Sequence, residues 1–302
     1  MTKQEKYTYK DFLAEFKDDK ICLERIFQIR FGDAKECPSC KRAFKYYPMN
    51  NVKYYQCQWC ANKISPTANT IFHKSSTSLT TWFLAIFLFS HSKNGVSAKE
   101  FQRLSGVTYK CAWRICNQIR KLFNKLPNNL SGIVELDETY YGGKEKNKHS
   151  NKKQSGTQGR SAKTKKPILG AIEREGKVIT QVVPYTSSSI VKTFVVNNIV
   201  PKSNINTDTY RSYMTLSKIG FKHETVNHSK GEYKKGTCHT NTMEGFWSQL
   251  KRSIQGTYHH VSQKYLQDYV NEFSYRYNMR KESQALFPEI LHQSAQLLLV
   301  KH

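Results

Sequence analysis

Two sets of residues in this chain have the types and spacing to work with metal ions. The first is Cys37-Pro38-Ser39-Cys40 and, after sixteen intervening residues, Cys57-Gln58-Trp59-Cys60. Two thiolate pairs at this spacing close a tetrahedron around one zinc ion. All four ligands are sulfur and no position is left for water, so the ion is expected to be structural, with folding coupled to it. The second set is acidic. Residues 133–141 read as a buried strand of β-branched and aromatic residues, yet they include Glu135, Asp137 and Glu138. Carboxylates inside an apolar strand call for a cation. Strand alternation puts Glu135 and Asp137 on one face and Glu138 on the other, which makes Asp137 the candidate ligand and Glu135 its auxiliary.

Two further acids complete the set. Asp208 ends a short strand expected over residues 203–208, just ahead of a helix expected from Thr209. Residues 239–253 read as a helix whose apolar side is Met243, Phe246, Trp247 and Leu250, with Glu244 at the edge of that side. Lys251 follows Glu244 by seven residues, nearly two turns, so both project from one face about 10 Å apart. Asn241, three residues before Glu244, is its neighbour. Asp137, Asp208 and Glu244 thus come from two strands and a helix that can converge, and oxygen ligands of this kind suit magnesium or manganese.

The elements that must position these acids follow from pattern. Residues 167–172 and 178–183 flank a turn at Glu175-Gly176-Lys177 and form a hairpin, which with residues 133–141 builds an antiparallel three-stranded unit. A helix is expected near residues 188–198. Upstream, residues 79–91 read as an apolar, aromatic-rich helix, and Ser97-Ala98-Lys99-Glu100 opens a second one. Leu104-Ser105-Gly106-Val107 breaks it, and Thr108 caps a third helix running to about Lys121, with Lys110 and Arg114 on polar positions. Helix, glycine turn, helix is the pattern of a helix-turn-helix, in which such side chains meet DNA.

Charge points the same way. The chain has 302 residues, enough for one good core with small appended modules, and 48 Lys and Arg against 23 Asp and Glu give a formal charge of +25. With 18 tyrosines among its aromatics, this composition suits phosphate contact and base stacking. Residues 142–167 hold nine basic residues and one acid, and Lys144, Lys152, Lys153 and Arg160 are expected to bind DNA from this arm, as are Asn241, Lys251 and Arg252 from the later helix. Tyr46, Tyr47, Lys53, Tyr54, Tyr55 and Trp59 crowd the cysteine module, where facing DNA and packing a small core both remain open. The longest apolar run, Trp82 to Phe89, is far short of the roughly 20 residues that span a bilayer. A cytoplasmic protein without membrane partners is expected.

The chain resembles the DDE transposases of prokaryotic insertion sequences, in the group that joins an N-terminal zinc ribbon to an integrase-like RNase H domain. The residues that carry the resemblance are the two cysteine pairs, Val134 to Lys144, Asn206-Thr207-Asp208, His239 to Trp247, and Arg276-Tyr277-Asn278. It spans roughly residues 15 to 280, and thirty-five residues separate Asp208 from Glu244. It implies an α+β or α/β multidomain chain: an N-terminal helical segment 1–36, a zinc ribbon 37–66, a helix-turn-helix-like segment 67–125, and a catalytic domain 133–280 with a mixed sheet flanked by helices. A basic loop 142–167 interrupts that domain, and a helical tail 281–302 follows it. It further implies a nucleoid-associated bacterial enzyme acting on double-stranded DNA as a dimer or higher oligomer. Asp137, Asp208 and Glu244 would hold two Mg²⁺ or Mn²⁺ ions, and Lys251 would contact a phosphate beside the scissile bond. A structure-specific nuclease of the same fold and a domesticated DNA-binding regulator are the alternatives.

Overall fold

The computed structural model describes residues 7–50, 53–124, 129–143, 149–153, 164–227, 231–232, 234–282 and 286–296. The chain divides into two compact units, one made of residues 1–122 together with 281–302, the other of residues 123–280.

In the first unit, α1 (Tyr9–Glu15) starts with a reciprocal cap between Thr8 and Asp11, and Asp18 caps α2 (Asp19–Phe31). A three-stranded antiparallel ribbon follows, β1 (Tyr46–Pro48), β2 (Tyr55–Cys57) and β3 (Lys63–Ile64). Next comes α3 (Leu79–His91), whose Trp82, Phe83, Ile86 and Phe89 are fully enclosed. Asp19 of α2 accepts the Thr80 N–H at 2.9 Å and so satisfies one of the open donors at the start of α3.

The expected helix pair forms as α4 (Ala98–Ser105) and α5 (Tyr109–Leu122). Ser97 accepts the Glu100 N–H, Gly106 ends α4 at φ +72°, and Thr108 accepts the Cys111 N–H. The left-handed backbone at Gly106 is what a glycine tolerates without cost, so the break falls where the sequence put it. The final helix of the chain, α9 (Leu286–Ala295), belongs to this unit as well. Its Phe287 enters a cage of Tyr7, Phe12, Phe16 and Phe87, with ring centroids 5.4 to 6.0 Å away. Each such pair adds about 0.5–1.5 kcal/mol beyond simple burial.

The second unit is a five-stranded sheet in the order β6-β5-β4-β7-β8. Strand β4 (Ile133–Tyr141) is central, antiparallel to β5 (Lys166–Glu173), which pairs with β6 (Val178–Val182). On its other side β4 runs parallel to β7 (Asn204–Asp208), and β7 to β8 (Lys222–Val226). Helix α6 (Ser188–Asn198) packs Val191, Phe194 and Val195 onto Val134, Leu136 and Ala171 on one face. Helices α7 (Asn241–Ser253) and α8 (Leu266–Asn278) pack Met243, Phe246, Trp247, Val270 and Phe273 onto Ile168 and Ile172 on the other. A mixed sheet of this order and direction between helical layers is the RNase H-like arrangement.

Two expectations are corrected. No α-helix starts at Thr209; short 3-10 turns at Arg211–Tyr213 and Ser217–Ile219 lead into β8 instead. Asp208 accepts the Tyr210 N–H at 2.9 Å, a side-chain turn that competes with helix initiation. The later helix begins at Asn241, two residues after His239. Among the described residues no helix is long and apolar enough to cross a membrane.

Candidate active site

Strand β4 separates its acids by face. Glu135 and Asp137 lie on the α7 side, paired with Ile172 and Gly170 of β5, while Val134, Leu136 and Glu138 lie on the α6 side. Gly170 lies directly across from Asp137, and any larger residue there would force its neighbours to shift. A Cβ there would stand 2.3 Å from Met243 Cε and 2.6 Å from the Trp247 ring. The missing side chain therefore lets α7 lie against the sheet beside Asp137, and Glu244 follows Met243 in the first turn of that helix.

Parallel pairing brings in the second acid. The observed register joins Val134 to Ile205 and Glu135 to Asn206, and continued by two residues it sets Asp208 level with Asp137 on the neighbouring strand. The three carboxyls sense one another. The Asp137 pKa is pushed up to about 7, first by burial, then by the charge of Glu138, with smaller contributions from Asp208 and Glu244, against a lowering backbone hydrogen bond. A buried carboxyl pushed up beside other acids is suited to a divalent cation, whose charge relieves the repulsion.

Glu135 does not serve as the auxiliary ligand expected of it, because both its oxygens are taken. Oε2 accepts the N–H groups of Thr242 (2.8 Å) and Met243 (3.0 Å). Oε1 accepts the Thr242 hydroxyl (2.9 Å) and Arg174 Nε (3.0 Å), with His239 Nδ1 at 3.1 Å. Glu138, on the opposite face as expected, accepts the hydroxyl of buried Tyr213.

The cysteine set closes by local turns. Cys37 accepts the Lys41 N–H and donates its own to Arg42, and Cys57 repeats this with Ala61 and Asn62. Lys41 and Ala61 both adopt left-handed φ, 59° and 56°. These two matched knuckles bring Cys37, Cys40, Cys57 and Cys60 together with all four sulfurs within 4.8 Å. Sulfurs about 2.3 Å from one zinc ion lie about 3.8 Å apart, and Cys37 Sγ and Cys60 Sγ are 3.8 Å apart. The residues fit the ion. Among the described residues the three carboxylates do not gather that tightly.

The ribbon aromatics divide between the two roles left open. Tyr55 is buried and stacks on Phe27 of α2 at 4.0 Å, and the Tyr46 hydroxyl meets Cys37 Sγ and Asn62. Tyr47, Tyr54 and Trp59 stay exposed, with Arg42 and Lys45 beside the Trp59 ring.

Of the residues expected to meet DNA, Lys110, Lys153, Asn241, Lys251 and Arg252 are exposed. Arg114 is exposed too, but its guanidinium donates to Ser75 Oγ at 3.0 Å and lies over Trp82. Lys144, Arg160 and the Lys152 side chain lie outside the described residues. Sequence reasoning missed the anchoring by Glu135 and the parts of Arg174, His239 and Gly170. A glycine inside the apolar stretch Ile168 to Ile172 was a readable sign of close approach; the others had none.

Comparison with known proteins bears on both units. Residues 129–278 match the family profile described as ISXO2-like transposase domain, and residues 17–63 match that of a transposase zinc-ribbon domain. A protein in transposable element ISH50 of Halobacterium salinarum is 26% identical over 87% of this chain and 92% of its own length. A transposase-like protein of Haemophilus influenzae is 30% identical over 34% of this chain and 81% of its own. Among solved structures, a chain of the simian T-cell lymphotropic virus intasome, in complex with a PP2A regulatory subunit, aligns at 16% identity with a TM-score of 0.31, over 64% of this chain and 66% of that one. With the zinc-ribbon and transposase-domain profiles matched in order along one chain, this protein belongs to the ISXO2-like transposases.

Proposed function

We propose that the protein cuts double-stranded DNA at the ends of its insertion sequence and joins the freed 3′ hydroxyl to target DNA, with Asp137, Asp208 and Glu244 holding two Mg²⁺ or Mn²⁺ ions. What supports this reading is that the β4–β7 register, continued by two residues, sets Asp208 level with Asp137, while Glu244 follows Met243 on a helix seated over Gly170. Such ions, when bound, activate the attacking water and stabilise the leaving oxygen. The chain supplies the rest. Asp137 and Asp208 would hold the ions from the sheet, and Glu244 would hold them from the helix side. Lys251 and Arg252, exposed in the last turn of α7, neutralise phosphates beside the scissile bond. Because water and a 3′ hydroxyl are chemically alike as nucleophiles, one site performs both cleavage and strand transfer.

In this reading the ribbon and the α4–α5 pair bind the terminal repeats, with Lys110 and Lys153 contacting phosphates. Two ends must meet before joining, so the working form is a dimer or larger on DNA in the bacterial cytoplasm. The test is Asp208→Asn in the full chain with a duplex carrying the element's terminal repeat. Folding and end binding should survive while cleavage in magnesium disappears. A variant that still cuts would sink the assignment, and wild-type protein that cuts without strand-transfer products in a plasmid assay would make it a nuclease.

A further inference from the structure

The helix that carries Glu244 is not capped by the side chain of its own N-cap residue. Thr240, the residue in the capping position of α7, makes no side-chain bond to the helix backbone. Its hydroxyl donates instead to Glu244 Oε1 at 3.1 Å. The cap comes from another element: Glu135 of β4, with no exposed surface, takes the N–H groups of Thr242 and Met243. A carboxylate placed against the first turn of a helix satisfies open donors and complements the dipole. Here the carboxylate sits two residues from Asp137, on the same face of the same strand.

We propose that Glu135 is a positioning residue that sets the distance between Asp137 and Glu244. The strand that presents one acid holds the helix that presents the other, and the capping duty it takes over frees Thr240 to orient Glu244. Arg174, at 3.0 Å, and His239, at 3.1 Å, face the Glu135 carboxylate from β5–β6 and from the segment before α7. Arg174 supplies the positive partner that a buried carboxylate requires. This inference rests on the metal-binding reading of Asp137, Asp208 and Glu244.

The test measures Mn²⁺ binding to the zinc-loaded full chain by the loss of the free-ion paramagnetic signal, alongside cleavage in magnesium. Glu135→Gln keeps the shape but removes the charge and turns one acceptor into a donor, which faces either the backbone N–H groups of α7 or the Arg174 Nε–H. Residues that orient metal ligands typically change affinity or activity by about 10- to 100-fold, so its Mn²⁺ dissociation constant should rise by that factor, with cleavage falling in step and duplex binding unchanged. A folded Glu135→Gln with wild-type Mn²⁺ affinity overturns the proposal. Should that variant fail to fold, Thr240→Ala and Thr240→Ser decide. Weaker Mn²⁺ binding in the alanine variant, restored in the serine variant, supports it; equal affinities in the two overturn it. Asp137→Asn separates the two ideas. If it too binds Mn²⁺ normally, the metal-site reading falls and takes this one with it, whereas loss in Asp137→Asn without loss in Glu135→Gln removes Glu135 alone.

Discussion

The four cysteines and the three carboxylates proposed to hold cations are built in opposite ways. Each cysteine pair sits on its own backbone knuckle, and the sulfurs already stand at the spacing that zinc needs. The carboxylates come from a central strand, its parallel neighbour and a helix, and burial, the charge of Glu138 and, to a smaller extent, Asp208 and Glu244 push Asp137 up to about 7. A site made by local turns can serve as a folding element, because the metal offsets the cost of ordering a module with little core. A site made by sheet register keeps its unfavourable charge in the folded state, where the surrounding core must carry it.

That contrast can be broken experimentally, most severely at the ribbon. Cys57→Ser should abolish zinc retention and unfold the ribbon, since structural zinc contributes on the order of 10 kcal/mol; zinc stoichiometry and thermal melting would show it. A variant that melts cooperatively like wild type without zinc would mean that the cage is dispensable. The next effect belongs to the helix seat. Gly170→Ala forces a methyl group into Met243 and the Trp247 ring and should cost about 1–3 kcal/mol in urea unfolding. An unchanged midpoint would show that α7 has room to spare there.

The smallest effect is the pH dependence of the metal-free protein. Asp137 is raised to about 7 in the folded chain and titrates near 3.9 when unfolded. The folded state therefore holds this proton more firmly, and stability declines as pH rises from about 4 to about 7, then levels off. The decline is followed as the fall of the urea unfolding midpoint across that window. Asp137→Asn should flatten it. The same slope in wild type and variant would place the responsible group elsewhere.

What the sequence revealed divides along the same line. Cysteine spacing, the caps at Ser97 and Thr108, the apolar side of α7 and the alternation of β4 are local signals, and each led to an element that the structure contains. Strand β8 was missed because Lys222-His223-Glu224-Thr225-Val226 is polar and buries only its last residue fully. The absent helix after Asp208 was a contest between a side-chain turn and helical pattern that residue types alone do not decide. Glu135 was read as a spare ligand because a sequence shows that two acids share a strand face, not that a helix beginning over a hundred residues later will claim one of them.

The return of α9 to the first unit has a consequence for how the protein is made. The cage around Phe287 is lined by Tyr7, Phe12, Phe16 and Phe87 from the start of the chain, so these rings wait through synthesis of the whole segment 123–280. At ribosomal rates of about 5–20 residues per second, that delay is on the order of ten seconds. During it the segment 123–280 has all of its own strands and helices, whereas the unit that began first is finished last. A chain broken between the two would leave Tyr7, Phe12, Phe16 and Phe87 without the ring of Phe287 that they enclose.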